Sequence, residues 1–526
     1  MLFQTLPFFG FFAVVMAGYA ATMQHLRMQN LLVMVASYVF YAFWDLRFLS
    51  LIITATAVAF IAGIGASGAP IARRNLSDAL SFLAVGSLIS FIPSIGQTWP
   101  YLLGCTVLGV GIITFSAAAN RLTPARRIRL SVITGVVFNL ALLAVFKYFN
   151  FFADSLSTFG RLIGVNLSEV TLEIVLPVGI SFFTFQKLAY IVDVQRGRVD
   201  AARDLLKFGA FVAYFPQLVA GPIERAGHLL RQFDKPRVLS WEGFSTGSAL
   251  FLWGMYKKVV VADNLSPLAN NVFADPSSMT SGELMVGLLA FTFQILCDFS
   301  GYSDMARGLA RIMGLELMIN FNIPYLSRTP SEFWERWHIS LSSWLRDYLY
   351  IPLGGNRGGT LLTYRNLFLT MLLGGLWHGA SWTFVVWGAF HGGILIAYRT
   401  LGVDAWLKQS TDYGLKGVVR DIGLVAVMFM LTVLGWLLFR AANLETIGLF
   451  ISGIASGYGL TTGAWSSLGF YLVPLLLVQA YQQRIGELEF LPRLPSFARF
   501  NATLFLVFSL VFLAPLGAST FIYFNF

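Results

Sequence analysis

Charge is scarce in this sequence. Of 526 residues, 12% are Asp, Glu, Lys or Arg and 57% are hydrophobic; the charged share is about half that of a soluble globular protein. The mean hydropathy is +0.70. So few charges cannot cover the surface of a water-soluble domain, which excludes a cytosolic enzyme, a disordered chain and a nucleic-acid binder. Cysteine is almost absent. Cys105 and Cys297 each lie inside an apolar run, so there is no disulfide framework and no thiolate metal site. Histidine occurs five times. No Walker loop, GxSxG elbow, HExxH or CxxC occurs, and no metal site is expected. What remains is an all-α polytopic membrane protein.

The first twenty residues carry no Lys or Arg ahead of their apolar stretch, and a second span follows rather than a cleavage site. The segment reads as a first transmembrane helix, not a removable signal. Apolar runs follow near 30–44, 48–66, 79–95, 101–119 and 130–148. They are too long and continuous for barrel strands. The net charge is +10. Arg27, the pair Arg73 and Arg74, and the group Arg121, Arg126, Arg127 and Arg129 fall in alternate loops, whereas the 96–100 gap has no charge. The positive-inside rule then puts these loops in the cytoplasm and the N-terminus outside.

Between about 150 and 400, Pro and Gly interrupt the apolar runs, as in LPVGISFFTF (176–185), FPQLVAGPIER (215–225), FNIPYLSRTPSEF (321–333) and YIPLGGNRGG (350–359). Such stretches suit re-entrant or half-membrane segments, tolerated where buried in protein or lining a cavity. Ordinary spans return near 421–440, 467–482 and 500–519. Three regions follow: N-terminal helices over 1–149, a core over 150–400 and C-terminal helices over 401–526. Roughly 11 to 14 transmembrane or half-membrane helices are expected.

His378 is the anomalous residue. It lies in LLGGLWHGASWTFVVWGAFHG, with no charge between Arg365 and Arg399. A histidine in such a run faces a bundle interior or a cavity and is a functional-site hypothesis, the bland alternative being an interhelical hydrogen bond. His391 follows thirteen residues on. On one straight helix that is about 220° around and about 20 Å along, too far for a shared metal ion, so packing is its plainer reading. His25 and His228 read as loop residues. His338 lies in SEFWERWHISLSSWLRDYLY (331–350), where Trp334, Trp337, Leu341, Trp344, Leu345 and Tyr348 share one stripe. That predicts one amphipathic interfacial helix, an anchor or a rim at which Arg336 or Arg346 meets phosphates. Asp298 and Asp304 need partners at membrane depth; Arg307 is placed to pair with Asp304, and both carboxylates read first as structural ion pairs.

Five blocks, at 176–197, 215–225, 298–314, 320–357 and 374–392, together resemble the membrane-bound O-acyltransferase (MBOAT) family. Most similar is its bacterial branch that modifies cell-surface polymers, the alginate O-acetyltransferase-like proteins, which the closing FIYFNF also resembles. The resemblance implies a helical bundle with re-entrant segments and a central tunnel, and an acyltransferase of the bacterial inner membrane. Its catalytic histidine would be His378, acting as general base or acyl-histidine nucleophile. His338, His391, Trp377 and Asp298 would be tunnel or supporting residues; Trp377, Trp382 and Trp387 could shape the tunnel, with wall packing the plainer reading of each. The donor would be cytoplasmic acetyl-CoA, a substrate, with no bound cofactor. A periplasmic acetyltransferase partner would finish O-acetylation of an extracellular polysaccharide, alginate or a related polymer. The stretch before residue 176 exceeds that of alginate acetyltransferases by about two spans, with 67–129 as the extra, which leaves the acceptor polymer open. Rival readings are D-alanyl transfer to teichoic acid fed by a carrier protein, a transporter or flippase without chemistry, and a scaffold subunit.

Overall fold

The computed structural model describes the chain except residues 92–98, 166–170, 173–174, 410–413, 458, 460–462, 516–520 and 523–526. Most of the 96–100 gap and the last four residues of FIYFNF lie outside the described residues. Among the described residues every regular element is a helix. In order these are α1 (Leu6–Ala21), α2 (Leu26–Ala42), α3 (Arg47–Ala66), α4 (Arg73–Ser87), α5 (Trp99–Asn120), α6 (Pro124–Leu143), α7 (Phe149–Leu162), α8 (Ile180–Gln195), α9 (Leu205–Ala213), α10 (Phe215–Leu218) and α11 (Trp241–Met255). Then come α12 (Asp263–Ala274), α13 (Ser281–Ile312), α14 (Pro330–Arg336), α15 (Ile339–Leu345), α16 (Thr360–His378), α17 (Trp382–Thr400), α18 (Val403–Gln409), α19 (Leu415–Arg440), α20 (Leu444–Ala455), α21 (Gly463–Ile485) and α22 (Ser496–Phe512). Among the described residues six helical stretches are long and apolar enough to cross a membrane, or seven if the bent pair of α17 and α18 is one span. Three shorter apolar helices, α1, α20 and α22, accompany them. This is the architecture of a multi-pass membrane protein.

The chain forms two compact units. One comprises Met1–Ser245 with Leu309–Leu317, the other Thr246–Gly308 with Met318–Phe526. In the first, α3 is buried almost all the way round, packing on α4, α6 and α8. Glycines allow the close approach: a Cβ at Gly135 on α6 would lie 2.7 Å from the Ile191 side chain of α8. Helices α5 and α6–α7 keep most of their apolar surface outward, as lipid-facing helices do. In the second unit α13 is the buried helix and α21 is largely outward.

Several expectations change here. The LPVGISFFTF block is not a broken segment beyond its first residues: Gly179, at φ 74°, starts the regular helix α8. The middle region also holds an uninterrupted 32-residue span, α13, and α20 had no counterpart among the expected spans. The segment 331–350 is not one amphipathic helix. It breaks between α14 and α15 at His338, which takes φ 45° and ψ 54°, a left-handed backbone rarely adopted by a non-glycine residue.

Candidate functional site: a buried histidine chamber

The α16–α17 hairpin positions His378. Its two helices meet through glycines. A Cβ at Gly375 would lie 2.3 Å from the Phe384 carbonyl oxygen, and one at Gly388 2.5 Å from that of Met371. Only backbone without side chains fits so closely. Helix α16 ends at His378, because Gly379 turns into extended backbone and Ser381 caps the next helix by accepting from the Thr383 N–H. The run carrying His378 and His391 is therefore two helices, not one straight helix. The ring of Trp387 lies 5.0 Å from His378 and 4.6 Å from His391, between centroids.

His378 is 3% exposed. Its ring is enclosed by Trp377 at 5.0 Å, Trp387 at 5.0 Å and Phe439 at 5.5 Å. The ring of His338 lies 6.4 Å away. His338 is fully buried, edge-on to Phe299 of α13 at 4.7 Å. Burial among uncharged rings pushes its pKa well below the ordinary histidine value. The break at 337–338 accounts for this position. The Ile339 N–H donates to the Asn320 carbonyl and the Asn322 N–H to that of Arg336, so two irregular strands of chain hold each other. Sequence periodicity missed this contact because it assumed a continuous helix.

His391 is packed rather than shared with a ligand set. It contacts Phe333, Trp334, Trp387 and Phe390, and a Cβ at Gly435 of α19 would stand 3.1 Å from its Nε2. Trp377 and Trp387 line the chamber, whereas Trp382 is 60% exposed and stands outside it.

Asp298 is not brought into the chamber. A π turn over Tyr256–Ala262 lets two successive lysines both point inward. Lys258 meets Asp298 and Asp263, each at 2.7 Å, and Lys257 meets Asp304 at 2.7 Å. Asp298 Oδ2 also accepts from the Ile522 N–H at 2.6 Å. Arg307 bridges Asp304 at 3.5 Å and Glu489 at 3.0 Å. Asp298 and Asp263 are members of a buried ion network, as their depth requires, while Asp304 and Glu489 pair at partly buried sites.

The geometry has relatives. The model of the membrane-bound O-acyltransferase family matches residues 198–438, which include His338, His378 and His391. The chain is 44% identical over 419 residues to a probable alginate O-acetylase of Azotobacter vinelandii, covering 80% of this chain and 71% of that one. It is 43% identical to the protein of the same description from Pseudomonas aeruginosa, over 80% and 68%. It is 36% identical to a peptidoglycan O-acetyltransferase of Helicobacter pylori, over 63% and 66%. The chain belongs to the membrane-bound O-acyltransferase family. It is an acyltransferase.

In this O-acyltransferase the two arginines of the expected rim part company. Arg346 is 63% exposed in its side chain and bonds to Asp347 at 2.9 Å. Arg336 instead lines a cavity of about 980 Å³ with Arg328, Asp421, Gln479 and Gln483 at its polar side. Phe293, Tyr325 and Phe429 form part of its apolar wall. His378 is not in this lining, but aromatic rings connect the two places. Tyr325 stacks on Trp337 at 6.2 Å, Trp337 meets Trp436 at 4.7 Å, Trp436 meets Phe439 at 5.5 Å, and Phe439 meets His378.

Proposed function

We propose that the protein takes an acetyl group from cytoplasmic acetyl-CoA for the O-acetylation of an extracellular polysaccharide, alginate or a related polymer. It does so from the inner membrane, with a periplasmic acetyltransferase partner completing the transfer. The observation that carries this reading is the pair His378 and His338, 6.4 Å apart between ring centroids in a buried aromatic chamber. The names of the relatives supply the polymer class.

The chemistry needs little else. The acceptor oxygen attacks the thioester carbonyl, a C–O bond forms and the C–S bond breaks. A neutral imidazole takes the hydroxyl proton and returns it to the departing thiolate. His378 is suited to that role, since its ring is buried at the end of α16 inside the aromatic chamber. Its place at the C-terminus of α16 lets the helix dipole stabilise the imidazolium formed in passing. The alternative order, through an acyl-imidazole, uses the same residue as nucleophile. The cavity beside Arg336 suits the donor: an apolar wall for the pantetheine arm and a guanidinium for a phosphate.

The test is purified protein with acetyl-CoA in detergent or vesicles, reading free thiol release and acetyl on the polymer. His378→Ala is expected to abolish both while inserting normally. Retained polymer acetylation in that variant overturns the assignment. A transporter would release no thiol, and a D-alanyl transferase would be active with an acyl carrier protein and not with acetyl-CoA.

A further inference from the structure

Asn320 lies in the irregular chain after α13 and is 1% exposed. Its Oδ1 faces three groups: His338 Nδ1 at 3.1 Å, the Ser340 backbone nitrogen at 3.2 Å and Ser340 Oγ at 2.9 Å. Its Nδ2 donates towards Ser303 Oγ at 3.4 Å. Its own carbonyl accepts from the Ile339 N–H at 2.9 Å. One side chain thus bonds both His338, which adopts its left-handed backbone at the break, and Ser340 in the first turn of the helix that follows.

The bond to Ser340 decides which end of the amide faces the ring. A backbone N–H can only donate, so the atom opposite it is oxygen. An amide oxygen can only accept, so the imidazole nitrogen facing that oxygen carries the hydrogen. A neutral imidazole has one N–H, and burial keeps this ring neutral. The proton is therefore on Nδ1, and Nε2 is the basic nitrogen of His338.

We propose that Asn320 is a positioning residue for the transfer reaction: it fixes the tautomer of His338 so that Nε2 is the unprotonated nitrogen in the chamber shared with His378, a hydrogen-bond acceptor beside the general base. This rests on the reading that the two-histidine chamber performs the acyl transfer. The oxygen of Asn320 does for His338 what a carboxylate does for the imidazole of a hydrolase triad, without adding charge. The pairing accompanies the strained backbone at 338: in that conformation residues 338 to 340 direct Nδ1, a backbone N–H and a hydroxyl at one oxygen. With that oxygen removed, the ring is free to carry its proton on Nε2 and present a donor where an acceptor is needed.

Asn320→Leu and Asn320→Asp separate tautomer control from packing. The rings facing His338 are Phe299 of α13, Phe321 of the irregular chain, and Trp377 and His378 of α16. Of these only His378 is an ionisable side chain. Asn320→Leu removes the acceptor and is expected to lower kcat by about 10²-fold or more, as loss of tautomer control does elsewhere, with the KM for acetyl-CoA unchanged. Asn320→Asp keeps the acceptor and adds a negative charge that favours imidazolium. Its activity is expected to survive at alkaline pH, with the acid limb of the kcat–pH profile moved to higher pH. Equal losses in both variants at every pH overturn the proposal in favour of packing. So does a folded Asn320→Leu protein within about twofold of the parent, when a tautomer role demands 10². His338→Ala distinguishes the underlying reading. Full activity in that variant sinks the two-histidine chamber itself, whereas an inactive His338→Ala beside an active Asn320→Leu removes only the role given to Asn320.

Discussion

The imidazole of His338 lies 6.4 Å from that of His378, ring centre to ring centre, and both are buried. The two rings arrive by different means: one at the C-terminus of α16, the other at a left-handed break between α14 and α15. Two converging histidines are suited to hand a proton between a hydroxyl and a leaving thiolate. His378→Gln should lower acetyl transfer by about 10²–10⁴-fold, the usual contribution of a general base, with unchanged protein in the membrane. Thiol release from acetyl-CoA measured on both proteins checks this. A rate within the error of the parent's would remove His378 from the chemistry.

The glycine seam of the hairpin gives a packing prediction. A methyl group at Gly375 would meet the Phe384 carbonyl oxygen at 2.3 Å, and backbone cannot step aside as a flexible side chain does. Gly375→Ala should therefore push α16 off α17 and displace His378. The expected cost is about 1–3 kcal/mol from overpacking, read as a lower midpoint of thermal unfolding in detergent. Gly393 has open space at its Cβ, so Gly393→Ala is the matched control and should leave the midpoint in place.

Buried charge makes a third prediction. Lys258 and Asp298 are 2% and 3% exposed in their side chains, and Asp263 completes the cluster. Lys258→Met leaves two carboxylates at depth without their cation. Breaking such a pair costs about 3–5 kcal/mol, so the variant should fold poorly. Lys258→Met combined with Asp263→Asn and Asp298→Asn should recover much of the loss. If the triple variant folds but has no activity, Asp298 has a role beyond stability.

What could be read from the sequence follows from how each feature is encoded. The membrane spans were legible because hydropathy is a local sum over about 20 residues. His378 was legible because a polar ring stands out where no charge surrounds it. His338 was placed on the wrong kind of element: its neighbours fit a helical stripe, and the break is imposed by Asn320 and Asn322 from a distant part of the chain. The partner of Asp304 at Arg307 was legible at a spacing of three, whereas the lysines opposite Asp298 and Asp304 were not, because a π turn brings them round. Arg336 and Arg346 looked equivalent at the polar rim of one helix and are not, since the chain breaks at His338 between them and α15 gives way to a π turn at Arg346.

That inequality is testable. Arg336 lines the 980 Å³ cavity, while Arg346 is bonded to Asp347 at an exposed site. Arg336→Ala should raise the KM for acetyl-CoA by about tenfold, the loss of one charge-assisted hydrogen bond of about 1.5 kcal/mol, with kcat little changed. Arg346→Ala should leave both constants near the parent's. Steady-state kinetics at two salt concentrations checks this, since a phosphate contact weakens as salt rises. An unchanged KM in Arg336→Ala returns that arginine to a topological role.

His228 carries a pH prediction away from the chamber. Its Nδ1 lies 2.7 Å from a carboxylate oxygen of Glu224, which is fully buried, and the ring is 41% exposed. That hydrogen bond, opposed by partial burial and helped by the charges of Glu224 and Glu316, raises the histidine's pKa. A folded-state pKa above the unfolded one means the imidazolium is bound more tightly in the native protein. The stabilisation is then complete below the ordinary histidine value and disappears as pH rises through the raised one. Parent and His228→Gln proteins should therefore differ most in thermal midpoint below the ordinary histidine value and converge as pH rises past the raised one. Glu224→Gln tests the same link from the other side, since without the carboxylate the pH dependence of the difference should vanish. A gap between parent and His228→Gln that is constant across this range would mean that the ring stabilises the loop by packing, with its charge contributing nothing.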